Sequence, residues 1–335
     1  MRRERNPMST QSKVLAYLEK TKGQYCSGEK IAQTLSLSRN AIWKAVNALK
    51  EKGYIIASSP QKGYCLQKEG NLLTPESIAL FLENPEMIEH VKVYKSLSST
   101  NTFAKTCAAE NAPHNSIIIA ETQTNGRGRL GRTFYSPSKT GLYFSIILRP
   151  HIGIDQSLFI TIAASLAVAD AIESVFGIPL QIKWVNDLYY KNLKVAGILT
   201  EASTNCETGL MDYIVLGVGI NLFQPESGAF PDDLKNIAGS LFDKTQGENL
   251  RAQLAAALIN HLTTLDFNAS HSKIMQTYRE RSLLIGKYVR AFTPAFEIFG
   301  KVIDFNEQGH LLLESDDHQI HTISSGEVSI RLNKK

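Results

Sequence analysis

Three arginines alternate with three glycines in the segment Thr124–Arg132, TNGRGRLGR. Glycine lets backbone amides approach a ligand closely and costs order when nothing is bound. Arg127, Arg129 and Arg132 supply bidentate donors that suit a phosphate or a carboxylate. The segment lacks the G-K-[ST] ending of a Walker loop and does not match G-x-G-x-x-G. We therefore interpret it as an anion-binding loop rather than as a solvated basic hairpin turn.

A second group of polar residues lies in the stretch KWVNDLYYKNLKVAGIL, residues 183–199. Two β-prone runs flank NDLYYKNL, which predicts a turn at strand ends carrying four polar residues, Lys183, Asn186, Asp187 and Lys194. Asp187 is an oxygen ligand suited to a nucleotide-bound Mg²⁺, and Asn186 suits a phosphate or the water shell of the metal. Lys194 either reaches solvent, as strand lysines usually do, or points inward and needs an anion.

Two shorter stretches belong with these segments. SSTN, residues 98–101, precedes an apolar-periodic run, so its hydroxyls and amide either cap a helix or bind a polar, planar group of a ligand. In LGVGIN, Gly217 and Gly219 thin a strand so that a ligand or a backbone can lie against it, and Asn221 ends the strand.

Together these segments predict an anion-binding pocket with a Mg²⁺ candidate, a lysine and a mobile arginine loop. The sequence contains no G-x-S-x-G, no H-E-x-x-H and no Cys/His pair suited to catalysis. Chemistry that positions anions and neutralises developing charge, without a covalent enzyme intermediate, is phosphoryl or nucleotidyl transfer. The residues predict this reaction class and leave the substrate open.

The elements that would position these residues alternate between helices and β-rich runs. The β-rich runs are HVKVYKSL, NSIIIAET, LYFSIIL, LQIKWVNDLYY, KVAGILTEA and DYIVLGVGINLF. Long strands with covering helices predict an α+β or α/β domain around one sheet. The apolar stretch LFITIAASLAVA is too short to span a bilayer and predicts a buried central helix over residues 158–176.

Residues 1–68 show the pattern of a winged helix-turn-helix. Two amphipathic helices with a tight connection are predicted in SGEKIAQTLSLSRNAIWKAVNALK, followed by a wing hairpin in YIIASSPQKGYCL. Ser38 is placed to cap the second of these helices. The candidate DNA contacts are Ser38, Arg39, Asn40, Trp43, Lys44, Asn47 and, on the wing, Lys62. The alternative is a helical hairpin with solvated charges, and Trp43 is either a core aromatic or a DNA contact.

Composition and charge support a soluble protein of two or three domains. The chain has 335 residues and a formal net charge of +4. Residues 1–68 carry 13 Lys and Arg against 4 Asp and Glu, whereas the remainder carries 23 against 28, so only the N-terminal part is expected to meet a polyanion. No apolar run follows the basic N-terminus, and no membrane segment is expected. The scattered Cys26, Cys65, Cys107 and Cys206 predict reduced thiols in a cytoplasmic protein.

The chain resembles the biotin protein ligases, specifically the bifunctional class that doubles as biotin-operon repressor. SSTN, GRGRLGR, KWVNDLYY, KVAGIL, LGVGIN and SSGEVSIR occur in family order with family-like spacing, and GRGRxGR followed by KW-x-ND is highly specific. The resemblance implies an α+β multidomain protein. Its expected parts are a winged helix-turn-helix (1–68), a class II synthetase-like catalytic domain with a mixed sheet (69–283) and an SH3-like β-barrel (284–335).

The resemblance also implies a two-step reaction. Biotin and Mg·ATP give biotinyl-5′-AMP, and a lysine of a biotin carboxyl carrier protein then takes the biotinyl group. Lys194, Arg129 and Asp187 would be catalytic, with Asp187 near Mg²⁺. The biotin site would comprise Ser99, Thr100, Asn101, Gln123, Arg127, Gly128, Arg129, Lys194, Gly197, Gly217 and Gly219. The nucleotide site would comprise Arg129, Arg132, Lys183, Trp184, Asn186, Asp187 and Asn221.

One position departs from the family pattern. The family usually reads KWPND, whereas this chain has Val185 in place of the proline, which predicts a less rigid turn. Near the C-terminus, Glu327 and Arg331 either help to bind ATP or the carrier, or only stabilise the barrel.

The arginine loop also suggests how one protein could do two jobs. Its glycines predict mobility without ligand, and ordering on biotinyl-AMP would favour a homodimer that places two basic heads on two operator half-sites. Two alternatives stay open. One is a transcription factor that senses a small acid without ligase activity, and the other is a lipoate or octanoate ligase.

Overall fold

A computed structural model describes residues 9–67, 71–150, 152–204, 207–244, 247–266, 270–292, 297–324 and, for the backbone, 329–332. The chain divides into two compact units. The first comprises Met1–Val93 with Gln246–Asn260, and the second comprises Tyr94–Thr245 with His261–Lys335. This division groups residues 71–93 and 247–260 with the N-terminal helices. The domain boundaries expected after residues 68 and 283 stay predictions.

The first unit begins with the predicted winged helix-turn-helix. Its helices are α1 (Thr10–Lys20), α2 (Gly28–Leu35) and α3 (Arg39–Glu51), followed by the antiparallel wing strands β1 (Ile56–Ser59) and β2 (Gly63–Leu66). Each helix starts at a serine whose hydroxyl accepts a backbone N–H three residues ahead, and for α3 this is the predicted cap. The apolar stripes predicted from spacing are buried together, among them Val14, Ile31, Ile42, Val46 and Leu49.

Residues beyond the wing complete this unit. Helix α4 (Pro75–Ala79) is capped by Thr74, whose hydroxyl also hydrogen-bonds the Tyr54 hydroxyl over 2.7 Å. A 3₁₀ helix spans Pro85–His90. The segment 247–260 contributes the buried Arg251, which donates to the Asn71 carbonyl. Helix α7 (Leu250–Thr263) starts in this segment and crosses the division between the two units.

A seven-stranded sheet carries the predicted β-rich runs. Its strands lie in the order β3-β4-β5-β9-β8-β7-β6. Their bounds are β3 Val91–Tyr94, β4 Ser116–Ala120, β5 Gly141–Leu148, β6 Gln181–Lys183, β7 Asp187–Tyr190, β8 Leu193–Thr204 and β9 Met211–Asn221. In this order, every neighbouring pair from β4 through β5, β9, β8 and β7 to β6 is antiparallel. Leu97, which follows β3, and Gln123, which follows β4, form a parallel bridge. This is the mixed sheet that was expected.

Three further helices are α5 (Thr100–Ala109), α6 (Ser157–Phe176) and α8 (His271–Glu280). Helix α6 is long and apolar enough to cross a membrane by composition alone. Most of it is buried, and the Thr161 hydroxyl reaches the Thr200 hydroxyl of β8 over 2.8 Å. The helix ends at Gly177 in the left-handed conformation, with φ 66°. The predicted buried central helix is confirmed.

A smaller antiparallel sheet follows. It contains β10 (Tyr288–Phe292), β11 (Glu297–Phe305), β12 (Leu311–Glu314), β13 (Ile320–Ile323) and β14 (Ser329–Leu332), in the order β13-β12-β11-β10-β14. Alternate residues of β10 and β12 are buried and contribute to its core. Glu327 and Cys206 lie outside the described residues, and the Arg331 side chain is not described.

The turn between β11 and β12 packs against α6 and against the turn between β6 and β7 of the seven-stranded sheet. The Trp184 indole N–H donates to the Gly309 carbonyl over 2.9 Å. Gly309 has φ 80°, and a Cβ there would lie 2.3 Å from Ile162 Cδ1 of α6. The glycine therefore permits both the backbone conformation and the close approach. Trp184, expected at the nucleotide, uses its N–H in this contact.

We expect Trp184→Phe to lower the free energy of unfolding by about 1–3 kcal/mol, because the Gly309 carbonyl would lose its buried donor. Trp43→Phe is the matched control, since Trp43 is 54% exposed and the chain has only these two tryptophans. Urea unfolding measures both, and the remaining tryptophan should emit at a shorter wavelength in Trp43→Phe than in Trp184→Phe. Equal stability of the two variants would contradict the contact.

Candidate active site

A row of paired residues crosses the seven-stranded sheet and brings the predicted site residues together. Lys183 lies opposite Asp187, Asp187 opposite Gly197, Gly197 opposite Gly219, and Gly219 opposite Tyr143. Directly opposed residues of antiparallel strands present their side chains on the same face. One face of the sheet therefore has charged residues at one side, an aromatic residue at the other, and two glycines between them.

Where these glycines lack a Cβ, the side chain of another residue fills the space. A Cβ at Gly197 would lie 3.2 Å from Lys194 Cε, and one at Gly219 would lie 2.6 Å from the Phe134 ring. A Cβ at Gly217 would lie 2.0 Å from Asn101 Oδ1. The close approach to the β9 glycines that the sequence predicts is present. The groups that lie against these glycines are side chains of the protein rather than a backbone.

Lys194 forms an ion pair with Asp187. Its Nζ lies 2.6 Å from Asp187 Oδ1, and the two side chains are 27% and 24% exposed. The sequence placed no acid beside Lys194, because the two residues become neighbours only when β7 pairs with β8. The predicted turn over NDLYYKNL is also corrected, since Asp187–Tyr190 is a strand and the tight turn lies at Lys191 and Asn192, which both have positive φ.

The backbone of Lys194 is held on both sides. Its N–H donates to the Ile237 carbonyl over 2.9 Å, and the Gly239 N–H donates to its carbonyl over 2.9 Å. Asn221 supports this segment by donating from Nδ2 to the Gly239 carbonyl over 3.0 Å. Asn221 was expected near the nucleotide, and here its amide anchors the strand that carries the lysine.

Arg129 of the arginine loop reaches the same place. Its NH1 donates to Asn186 Oδ1 over 3.1 Å, and Asn186 Nδ2 donates to the Ile198 carbonyl over 2.8 Å. Burial lowers the pKa of Arg129, and the nearby Asp187 carboxylate opposes that shift. A partly desolvated guanidinium of this kind gains from an anionic ligand.

The loop itself folds back as a hairpin. The Phe134 N–H donates to the Gly126 carbonyl over 2.9 Å, and the Gly128 N–H donates to the Arg132 carbonyl over 2.7 Å. At the tip, Leu130 has φ 55° and is 60% exposed. The side chains of Arg127 and Arg132 are exposed. The mobility expected of this loop without ligand stays a prediction.

The SSTN segment caps a helix and binds the start of the loop. The Ser99 hydroxyl accepts the Thr102 N–H over 3.4 Å. Gln123 Oε1 accepts both the N–H and the hydroxyl of Thr100, over 2.8 and 3.1 Å, while its Nε2 donates to the Ser136 hydroxyl over 2.9 Å. The capping interpretation is therefore confirmed, and a ligand contact by these groups stays a prediction.

Asn101 is a buried hydrogen-bonding centre between α5 and the sheet. Its Oδ1 accepts the Ser145 hydroxyl over 2.7 Å, and its Nδ2 donates to the Leu199 carbonyl over 3.2 Å and to Glu201 over 3.0 Å. Burial acts to raise the pKa of Glu201, but hydrogen bonds from Lys105 and Asn101 lower it overall. The amide expected at biotin thus holds α5 in place.

The comparisons with known proteins agree with this architecture. The chain is 34% identical to the Bifunctional ligase/repressor BirA of Bacillus subtilis over 302 residues, which cover 88% of this chain and 90% of the relative. The chain belongs to the biotin protein ligase family. It is also 31% identical to the Bifunctional ligase/repressor BirA of Escherichia coli, over 96% of this chain and 98% of that one.

The models of three protein families match successive parts of the chain. They are the HTH domain at residues 10–65, the Biotin/lipoate A/B protein ligase family at 93–221 and the Biotin protein ligase C terminal domain at 284–331. Among solved structures, the biotin protein ligase from Aquifex aeolicus in complex with biotin and ATP is 28% identical. It has a TM-score of 0.61 and covers 72% of this chain and 99% of that one.

A buried tyrosine beside the candidate site was not indicated by the sequence. Tyr278 of α8 is fully buried, and its hydroxyl donates to the Val185 carbonyl over 3.3 Å. Val185 is itself 2% exposed. The turn that was expected to be less rigid is therefore packed and hydrogen-bonded. No local pattern indicates Tyr278, because it lies far from Val185 in the chain. Lys183, beside the same turn, lies 5.8 Å from the Tyr189 ring centroid.

The predicted DNA-contacting residues lie together on the first unit. Ser38 is exposed at the N-cap of α3. Four of the predicted residues on α3 are exposed and Asn47 is half-buried; the exposed ones are Arg39, Asn40, Trp43 and Lys44. Because Trp43 is 54% exposed, it is not a core aromatic. Lys62 is exposed between β1 and β2, and its Nζ lies 5.8 Å from the Tyr25 ring centroid.

We expect Gly217→Ala to cost about 1–3 kcal/mol of folding free energy, because the new Cβ would overlap Asn101 Oδ1. In an Asn101→Ala background the same change should cost less, and the coupling energy should reach about 0.5–3 kcal/mol. Gly128→Ala is the control, since its Cβ would meet the nearest atom at an ordinary 3.4 Å. Additive costs in urea unfolding would contradict the proposed overlap.

Proposed function

We propose that this protein is an ATP-dependent biotin protein ligase that also acts as a biotinyl-AMP-dependent transcriptional repressor. One observation carries the proposal. The cluster of Arg129, Asn186, Asp187 and Lys194 lies beside a glycine-lined sheet face, in a chain similar to bifunctional ligase/repressors over nearly its whole length. The substrates would be biotin and ATP, and the protein would be cytoplasmic.

In the first step, a biotin carboxylate oxygen attacks the α-phosphorus of ATP. A new P–O bond forms, the bond to the β-phosphate oxygen breaks, and biotinyl-5′-AMP and pyrophosphate result. Lys194 would exchange Asp187 for the biotin carboxylate, and Gly197 leaves room for its ammonium to move. Arg129 would exchange the Asn186 oxygen for the phosphate, neutralising charge as it develops.

The remaining predicted residues would shape the two subsites. The exposed Arg127 and Arg132 can fold over the phosphate, with Gly128 allowing the backbone to approach. Ser99, Thr100, Asn101 and Gln123 would hold the position of α5 against the biotin subsite through their hydrogen bonds. Lys183, Trp184 and Asn221 would support the nucleotide subsite from behind.

In the second step, the ε-amine of a carrier lysine attacks the acyl carbon of biotinyl-AMP. An amide bond forms as the bond from the acyl carbon to the AMP oxygen breaks, AMP leaves, and the attacking nitrogen, which was the neutral amine, releases a proton to solvent. The partner is a biotin carboxyl carrier protein. Asp187 would be available near the reacting centre once Lys194 has turned to the ligand.

Asp187 also fits a Mg²⁺ ion that arrives with ATP. Within the described part of the chain, no group of three or more His, Cys, Asp or Glu could hold a metal. A single carboxylate combined with substrate phosphates is a common way for proteins to bind Mg²⁺. The ion would neutralise phosphate charge, and Asn186 would orient its water shell.

We expect Lys194→Ala to lower the rate of ATP-dependent biotin transfer to a carrier domain by about 10²- to 10³-fold, because a preorganised cation at the reacting carboxylate is lost. Lys191→Ala, an exposed lysine of the same hairpin, should keep wild-type activity. Lipoate and octanoate are tested in parallel with biotin. Transfer of lipoate alone would contradict the proposal, and transfer of none would favour a sensor without ligase activity.

The repressor function would use the first unit. A homodimer bound to biotinyl-AMP would place two copies of α3 on two half-sites, with Lys62 of each wing near the backbone. Ordering of the arginine loop on biotinyl-AMP would favour this dimer. The exposed Arg39, Asn40 and Lys44 support DNA contact by this face.

A DNA duplex that the protein binds is first selected from a randomised library. We expect biotin with ATP to increase the affinity of the protein for this duplex. Asn40→Ala should weaken binding to this duplex by about 1–3 kcal/mol, because a base-edge hydrogen-bond partner is lost, while ligase activity stays unchanged. Gel shifts at fixed salt measure both effects. Equal affinity with and without biotin and ATP would contradict the coupling.

A further inference from the structure

The Tyr278 side chain links three parts of the second unit. Its ring meets the Phe305 ring of β11 edge-on, with centroids 5.2 Å apart, and its hydroxyl donates to the Val185 carbonyl over 3.3 Å. Tyr278 and Phe305 are both fully buried. Through Tyr278, α8 therefore connects the C-terminal sheet with the turn before Asn186 and Asp187.

The surroundings of the hydroxyl keep it a donor. Burial raises the pKa of Tyr278 well above its usual value, and the nearby Asp187 charge adds to this shift. Arg129 acts in the opposite direction on the same group, so the hydroxyl lies within electrostatic reach of two residues of the candidate site. A neutral hydroxyl at this place donates steadily to Val185 across the physiological pH range.

The turn itself controls where the charged groups point. Val185 directly precedes Asn186 and Asp187. The Asn186 side-chain oxygen accepts a hydrogen bond from Arg129, and the Asp187 carboxylate forms an ion pair with Lys194. A displacement of the Val185 carbonyl would move both side chains with the backbone. An error of about 1 Å in such positioning can cost about 10²-fold in rate.

We propose that Tyr278 is a positioning residue of the ligase reaction, which holds the Val185–Asp187 turn so that Asn186, Asp187 and through them Arg129 and Lys194 face the reacting phosphate. This inference rests on the proposed function. Trp184 reinforces the same turn from its other side, through its bond to Gly309. The C-terminal sheet would thus fix the turn at two points.

The test compares Tyr278→Phe with the wild type in the formation of biotinyl-AMP. Pyrophosphate release is followed from biotin and ATP with a carrier domain present, so that the enzyme turns over, and the burst amplitude without carrier counts the active sites. Phenylalanine keeps the ring against Phe305 and removes only the hydroxyl. We expect kcat per active site to fall by about 10- to 100-fold, with KM for ATP and biotin little changed, because the lost alignment acts in the transition state.

Tyr54→Phe is the matched control. Tyr54 is also buried, and its hydroxyl bonds Thr74 over 2.7 Å in the first unit. It should lose comparable stability and keep the wild-type kcat. If Tyr278→Phe lowers only the number of active sites and leaves kcat per site unchanged, Tyr278 is merely structural and the inference is wrong.

Two further outcomes separate the possible failures. A wild type that releases no pyrophosphate from biotin and ATP would contradict the proposed function, and the inference would fall with it. If Tyr278→Phe did not fold, Phe305→Leu becomes the test, because it frees the ring while keeping the hydroxyl. A reduced kcat per site in Phe305→Leu would support the positioning role, and an unchanged kcat would overturn it.

Discussion

The arrangement of the candidate site depends on three positions in the central sheet that carry no side chain. Gly197, Gly217 and Gly219 lie on one face, and the space above them is taken by Lys194, Asn101 and Phe134. A side chain at one of these positions would displace Lys194, Asn101 of helix α5, or Phe134 just after the arginine loop. The sheet is therefore a template whose missing side chains determine where the functional ones can lie.

The charges above this template satisfy one another in the structure. Lys194 is paired with Asp187, and Arg129 donates to Asn186. Burial lowers the pKa of Arg129, and the Asp187 carboxylate raises it. Arg129 and Lys194 therefore depend on the same carboxylate. An incoming anion would need to replace only these local partners. These contacts explain how the folded protein can hold a cationic site before an anion binds, because no charge is left buried and unpaired.

Much of the fold could be predicted from the sequence, because local signals specify it. Apolar spacing indicated the helix-turn-helix core, and Ser38 marked the start of α3 correctly. Residue type also indicated that Arg129, Asn186, Asp187 and Lys194 belong to one site.

The contacts between these residues could not be predicted in the same way, because they join distant parts of the chain. The Asp187–Lys194 pair arises from strand register, and the Asn101 bonds arise from the packing of α5 on β5 and β8. The bonds from Trp184 to Gly309 and from Tyr278 to Val185 span more than ninety residues. Such contacts leave no local periodicity, so residues typical of a ligand site could not be distinguished from residues that support it.

The interleaving of the two units has a consequence for biosynthesis. The first unit includes residues 247–260, where Asn249 donates to Glu19 of α1 and Lys22 pairs with Glu248. A ribosome delivers the chain from its N-terminus, so this unit gains its last segment only after strands β4 to β9 have been synthesised. A nascent or truncated chain would thus carry helices α1 to α3 without the contacts that residues 247–260 supply. The first unit is therefore completed only when residues 94–245 of the second unit have already been synthesised.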